Sequence, residues 1–321
     1  MVSLPAVIGS PLVNVNVKVM SHDSGSLKSI FFALGANAAI ALAKLGAALY
    51  TGSHSMLAES VHSFADCGNQ GLLLWGLKKA KRPPTPEHPL GYGKAVYFWS
   101  FIVALILFSM GGLFSIYEGM HKLHEGEPMN RPELAIGILI FSIVMETISL
   151  RACLQEVNRL RGSISLWTWF RQTRESALLI VLGEDIAALA GLVFALIAIL
   201  LAMVTGNPMF DALGSIAIGV LLVGVAIGVG AEIKSLLIGE SVDPRVRDDI
   251  QGFLENRPEI DRLFNLLTLQ LGDDMMVAVK ARMRNPSSAR HLIDDINACE
   301  KALKAAYPRV RWLFFEPDVA D

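Results

Sequence analysis

Long apolar runs recur six times in the first three quarters of the chain, at roughly 29–50, 54–77, 95–120, 133–155, 176–204 and 209–235. A bilayer crossing needs about 20 predominantly apolar residues, and each run reaches that length. Turn-forming residues punctuate them: Thr51-Gly52-Ser53 divides the first two runs and Thr205-Gly206-Asn207-Pro208 the last two. From about Val242 the pattern changes. A charged, amphipathic stretch predicts a helix to Asn256. The segment "LFNLLTLQLGDDMMVAVKARM" gives two apolar runs broken at Gly272-Asp273-Asp274, a hairpin signal. A second helix over "ARHLIDDINACEKALKAAY" and a strand over "RVRWLFFEP" follow. The expected fold is an α-helical membrane protein of six transmembrane helices, followed by a small α+β domain of order αββαβ with its helices on one face of the sheet. Its expected parts are an N-terminal segment 1–28, a transmembrane domain 29–240 and a dimerisation domain 241–321.

Lysine and arginine set the expected orientation. Lys78, Lys79, Lys81, Arg82 and Lys94 follow the second run, and Arg151, Arg159, Arg161, Arg171 and Arg174 follow the fourth. The opposite loops hold few, with only Lys122 and Arg131 between runs three and four. Both termini are therefore expected on the cytoplasmic side. Residues 1–28 have neither the pattern of a signal peptide nor the arginine-rich character of a transit peptide, so a bacterial inner membrane is the expected location.

Composition supports this reading. Of 321 residues, 53% are hydrophobic and 18% charged, which suits lipid better than water. Mean hydropathy is +0.47. The net charge of −2 offers no basic field for nucleic acid. Cys67, Cys153 and Cys299 are too dispersed for a disulfide framework or a CxxC metal site.

The second run breaks the apolar pattern. In "LAESVHSFADCGNQGLLLWG", Glu59, His62, Asp66, Asn69 and Gln70 share one helical face, opposite Leu57, Phe64, Leu72 and Trp75. An acid facing lipid near the bilayer centre costs roughly 2.5–3.5 kcal/mol, so the stripe is expected to face helices or water. His62 and Asp66, one turn apart, suit either a shared divalent ion, with contacts of about 2.0–2.2 Å for zinc, or a hydrogen-bonded pair between helices. The fifth run carries Glu184 and Asp185, followed by small residues that permit close helix approach. A cation between runs two and five would meet Asp66, Asp185 and a neutral His62. The other reading pairs the acids with Lys44 in the first run. Glu146, in the fourth run, is expected to face the bundle and is a candidate proton carrier.

"GSHSMLAESVHSFADCGNQ" and "HPLGYGKAVYFWS" give the chain a resemblance to the cation diffusion facilitators, the zinc-transporter family of proton-coupled divalent-metal exporters. The resemblance covers nearly the whole chain. It implies a tetrahedral transport site from an H/DxxxD motif in span two and an HxxxD motif in span five. His62 and Asp66 match the first motif and Asp185 the acid of the second. Val181 stands where the second histidine belongs. "GEDIAALAG" is similar to the branch of vertebrate mitochondrial zinc exporters. Glu184 is then the first candidate for the fourth ligand, helped by a flexible Gly183, with water, Asn69 and Glu146 as the others. Glu59, Asn69 and Gln70 would line the approach. The implied substrate is Zn²⁺, with Mn²⁺, Fe²⁺, Co²⁺ or Cd²⁺ tolerated by the same donors and protons as counter-ion. No cofactor is implied.

The α+β domain has one histidine, His291, expected at a helix start, and Lys280 where the family often has a metal-binding histidine. It is expected to dimerise without a metal cluster. The resemblance also implies a charge contact from Lys94 to Glu240 or Asp243. Asp211 is expected to cap the sixth helix. A passive metal channel is the alternative function. An intramembrane metalloenzyme is weaker, for no HExxH is present. A receptor or scaffold is a further alternative.

Overall fold

The computed structural model describes residues 23–51, 54–125, 132–207 and 209–320. Helices α1 (Asp23–Thr51) and α2 (His54–Ala80) pack as an antiparallel pair, as the short break between them requires. The third span is built in three pieces: α3 (Ala95–Ile106), a π-helical turn (Leu107–Leu113) and α4 (Phe114–Glu125). Then come α5 (Pro132–Arg161), a short α6 (Leu166–Gln172), α7 (Ser176–Thr205) and α8 (Met209–Ile238). Among the described residues, five helices are long and apolar enough to cross a membrane: α1, the third span, α5, α7 and α8. At 27 residues α2 is long enough too, and its polar stripe keeps it out of that set. Phe64 and Trp75, on the face opposite the stripe, are exposed as lipid-facing side chains would be.

Small residues hold the third and sixth spans together. A Cβ on Gly119 would meet the Ala212 carbonyl oxygen at 2.8 Å, and one on Gly219 would meet that of Gly112 at 2.7 Å. Backbones approach this closely only where side chains are absent, and packing rather than hydrophobicity drives helix association in lipid. Gly183 makes a similar close contact between the fifth and sixth spans. It sits inside continuous α7, and a Cβ there would meet Val229 Cγ2 at 2.9 Å. Its function is close packing against α8 rather than the expected flexibility beside Glu184.

The C-terminal part follows the expected order: α9 (Pro244–Glu255), β1 (Ile260–Leu271), β2 (Asp274–Met283), α10 (Ala289–Ala306) and β3 (Val310–Pro317). β2 is central, antiparallel to β1 and parallel to β3. Ile250, Leu254, Val277, Val279 and Leu303 fill the core between sheet and helices. Ser288 caps α10 by accepting the His291 N–H at 3.1 Å, which gives His291 its expected place at a helix start. Lys280 pairs with Asp318 at 3.2 Å, and the hydrogen bond from the Val319 amide, then that from Lys280, hold the Asp318 carboxyl below the usual range.

The β1–β2 turn docks on the loop that opens the third span. Gly272 donates its N–H to the buried Tyr97 hydroxyl at 3.0 Å. A Cβ on Gly93 would lie 1.9 Å from the Leu271 carbonyl oxygen. Lys94 donates to the Leu237 carbonyl at 3.4 Å, at the end of α8, not to Glu240 or Asp243 as expected. Glu240 is instead bridged by Arg174 at 3.1 Å, and Asp243 caps α9 and pairs with Arg245. A lysine in the short loop reaches the nearest carbonyl, while the more extended Arg174 spans to the acid.

Gly272→Ala forces a side chain onto φ +69° and against the Gly93 carbonyl at 2.7 Å. It is expected to lower stability by about 2–3 kcal/mol, read as an earlier thermal transition in detergent and faster proteolysis of the β1–β2 hairpin; an unchanged transition contradicts the docking.

Candidate metal site

Polar side chains from four spans converge where α2, α5 and α7 face one another. Asn69 and Gln70 on α2 donate to the two oxygens of Glu184 on α7, at 3.0 and 2.7 Å. Asn37 on α1 donates to the Gln70 carbonyl oxygen at 3.4 Å. On the next residue of α7, Asp185 Oδ2 accepts from Ser149 of α5 at 3.0 Å and is buried. A hydrogen bond contributes roughly 0.5–1.5 kcal/mol net, and a buried polar group left without one costs about 1–3 kcal/mol. This set is what allows adjacent acids inside a helix of membrane length.

A cavity of about 310 Å³ opens from this cluster. Asp66, Asn69, Glu146, Glu184 and Asp185 line it, with Asn37, Lys44 and Ser142. From there it runs between the spans to Glu118, Lys122 and Asp211 at the end of the bundle away from the α+β domain. Lys122 bridges Glu118 at 3.5 Å and Asp211 at 3.4 Å. Asp211 therefore belongs to an ion-pair cluster rather than to the expected cap; Asn207 accepts the Met209 N–H at 3.0 Å in that role. Toward the domain end, Tyr97, Trp169, Leu178, Val181, Ile233 and Leu236 form a closed apolar layer. Among the described residues, the cavity thus leads from the cluster toward Lys122, and an apolar layer lies on the domain side.

The expected site residues fare as follows. Asp66, Glu184 and Asp185 share the cavity, and Glu146 is buried and lines it from α5. Asn69 lines the cavity as expected and also donates to Glu184; Gln70 holds the other Glu184 oxygen rather than lining the cavity. His62 and Glu59 lie on α2, and their side chains fall outside the described residues. Among the described residues, no three His, Cys, Asp or Glu side chains converge as a ready metal cage.

Some residues of this site escaped the sequence reading. Ser149 and Ser142 are single hydroxyls in an apolar run, which hydropathy does not notice. Asn37 had a signal of the same kind as Asn69, an amide within a spanning segment. The π-helical turn, which supplies Leu107, Met110 and Gly111 to the cavity wall, was announced only by Gly111-Gly112. Such turns often mark functional positions in helices.

Comparison with known proteins fixes the family. Residues 30–238 match the profile of the cation efflux transmembrane domain. The chain belongs to the cation efflux family. It is similar to metal tolerance protein C4 of Arabidopsis thaliana, 32% identical over 79% of this chain and 56% of that protein. It is also similar to the human protein named proton-coupled zinc antiporter SLC30A9, mitochondrial, 32% identical over 77% of this chain and 44% of that one. The chain thus spans about half the length of these two relatives. Magnetosome protein MamB of Paramagnetospirillum magneticum is 25% identical over 79% of this chain and 81% of its own length.

Outer-shell partners of metal ligands typically change affinity 10–100-fold. Ser149→Ala is accordingly expected to weaken divalent-metal binding by about that factor, measured by calorimetric titration of purified protein with zinc; unaltered affinity removes Asp185 from the site.

Proposed function

We propose that this chain exports divalent transition-metal ions in exchange for protons, with Zn²⁺ as first substrate and Mn²⁺, Fe²⁺, Co²⁺ or Cd²⁺ accepted by the same donors. One observation carries the reading: Asp66, Glu184 and Asp185 meet within membrane-length helices around a cavity that leads toward Lys122 and Asp211. Oxygen donors suit hard to borderline cations, and His62 one turn before Asp66 adds the nitrogen that favours zinc. The printed names of the plant and human relatives, metal tolerance protein and zinc antiporter, agree with this chemistry.

A cavity on one side of the acids and an apolar layer on the other suit alternating access. The end bearing the α+β domain is cytoplasmic, because Lys78, Lys79, Arg159 and Arg171 gather at that end of the helices. We place the chain in a bacterial inner membrane with both termini on that side. The described conformation then faces outward. In the inward-facing state the apolar layer around Tyr97 and Leu178 parts and metal enters from the cytoplasm. Ligands must lose protons to bind a metal, so loading releases protons and outward release takes them up. Glu146, buried beside the acids, is the proposed proton carrier. Two copies pair through the α+β domain, whose sheet leaves Leu267 60% and Phe314 57% exposed.

Proteoliposomes test the function. Zinc added to one side is expected to drive counter-movement of protons, and Asp66→Ala or Asp185→Ala to cut zinc flux by about 100-fold or more, a loss of roughly 2.7 kcal/mol. Glu184→Gln, which keeps the side-chain shape, is expected to retain partial flux. Zinc flux indifferent to collapse of the pH gradient marks a channel, and full flux in the aspartate variants overturns the site.

A further inference from the structure

The link between α5 and α7 is not a simple loop. Its helix α6, "LWTWFRQ", turns one tryptophan inward and one outward. Trp169 is buried in the bundle core beneath Leu178 and Val181. Trp167 is 70% exposed and stacks in parallel on Phe170, with ring centroids 5.7 Å apart. Leu166 beside it is exposed as well. In water such an aromatic ledge costs hydration free energy without return.

The depth of α6 follows from its contacts. Arg171 bridges to Glu232 of α8 at 2.7 Å. Between Asp211 and Glu232, α8 carries an uncharged stretch about 30 Å long, the thickness of the hydrocarbon core. Glu232 thus marks the boundary on the domain side, and α6 lies at that boundary. Tryptophan is favoured there, its ring in the interfacial zone. Two exposed cations flank this link in the chain, one on α5 and one on α6. The Arg171 side chain is 60% exposed despite its ion pair, and Arg151, the first charge after the apolar part of α5, is exposed. Arg161 donates to Asn158 and to the Ile164 carbonyl, shaping the turn that presents α6.

We propose that α6 is an interfacial anchor that binds anionic phospholipid headgroups of the leaflet on the domain side: Trp167 and Leu166 insert between acyl chains, and Arg151 and Arg171 contact the phosphates. The position between the fourth and fifth spans makes this contact continuous with α7, the helix that bears Glu184 and Asp185. Juxtamembrane arginines each strengthen binding to an anionic surface by about five-fold.

The test uses the full chain in phosphatidylcholine vesicles doped with doxyl-labelled phosphatidylcholine or doxyl-labelled phosphatidylglycerol. Trp167 emission is the difference between wild type and Trp167→Phe. Labelled phosphatidylglycerol is expected to quench this emission at least about five-fold more effectively than labelled phosphatidylcholine, while aqueous iodide quenches it poorly. Arg151→Gln combined with Arg171→Gln is expected to bring the two lipids to parity with quenching retained. Equal quenching by both lipids in the wild type overturns the proposal, as does free access of iodide to Trp167. Competition by soluble glycerol phosphate as effective as that by the lipid overturns it too.

Discussion

Adjacent carboxylates inside a membrane-length helix are the constraint on which the rest of the bundle depends. Each acid at bilayer depth costs roughly 2.5–3.5 kcal/mol on insertion scales if it faces lipid. The chain meets that cost with oriented donors: the amides of Asn69 and Gln70 on Glu184, and the Ser149 hydroxyl on Asp185. Those donors lie on different helices, so satisfying the acids also fixes how α2, α5 and α7 face one another. The remaining acids, Asp66 and Glu146, open on a cavity. A purely structural network would have closed over its polar atoms. This one keeps space beside them, and the Ser142 hydroxyl in its wall has no hydrogen-bond partner among the described residues.

The second feature is asymmetry. On the domain side of the acids lies an apolar layer, and just beyond it the β1–β2 turn is seated on Gly93 and Tyr97. Arg174 at the start of α7 holds the Ser241 carbonyl at 2.7 Å as well as the Glu240 carboxylate. Lys94 holds the end of α8. The C-terminal domain is therefore tied to the ends of the third and fifth spans and follows directly on the sixth. Close glycine contacts pack the third and sixth spans tightly against each other. On the proposed transport cycle, the domain is positioned to share in the inward opening.

Much of this was legible in the sequence. The apolar runs, the charge bias and the hairpin at Gly272-Asp273 specify the helices and the αββαβ order, because these depend on local periodicity and turn chemistry. The stripe on α2 was legible for the same reason, since helical spacing alone places Asp66, Asn69 and Gln70 on one face. The partners across the cavity were not. That Asn69 and Gln70 clasp Glu184 depends on the rotation of α2 against α7, which tertiary packing sets. Ser149 is one hydroxyl among several in apolar runs, and only its distance to Asp185 singles it out. Gly183 and Asp211 were misread through local rules, flexibility and capping, where a neighbouring helix decided the outcome.

On the proposed function, a cation completes the shell begun by Asp66, Glu184 and Asp185 together with the side chain at position 62. X-ray absorption at the zinc edge, on full-length protein loaded with one equivalent of zinc, reads that shell directly. The account predicts a four-coordinate oxygen-and-nitrogen shell at about 2.0–2.1 Å, with one imidazole whose scattering vanishes in His62→Ala. Sulfur ligation, or an imidazole signal unchanged in His62→Ala, would contradict it.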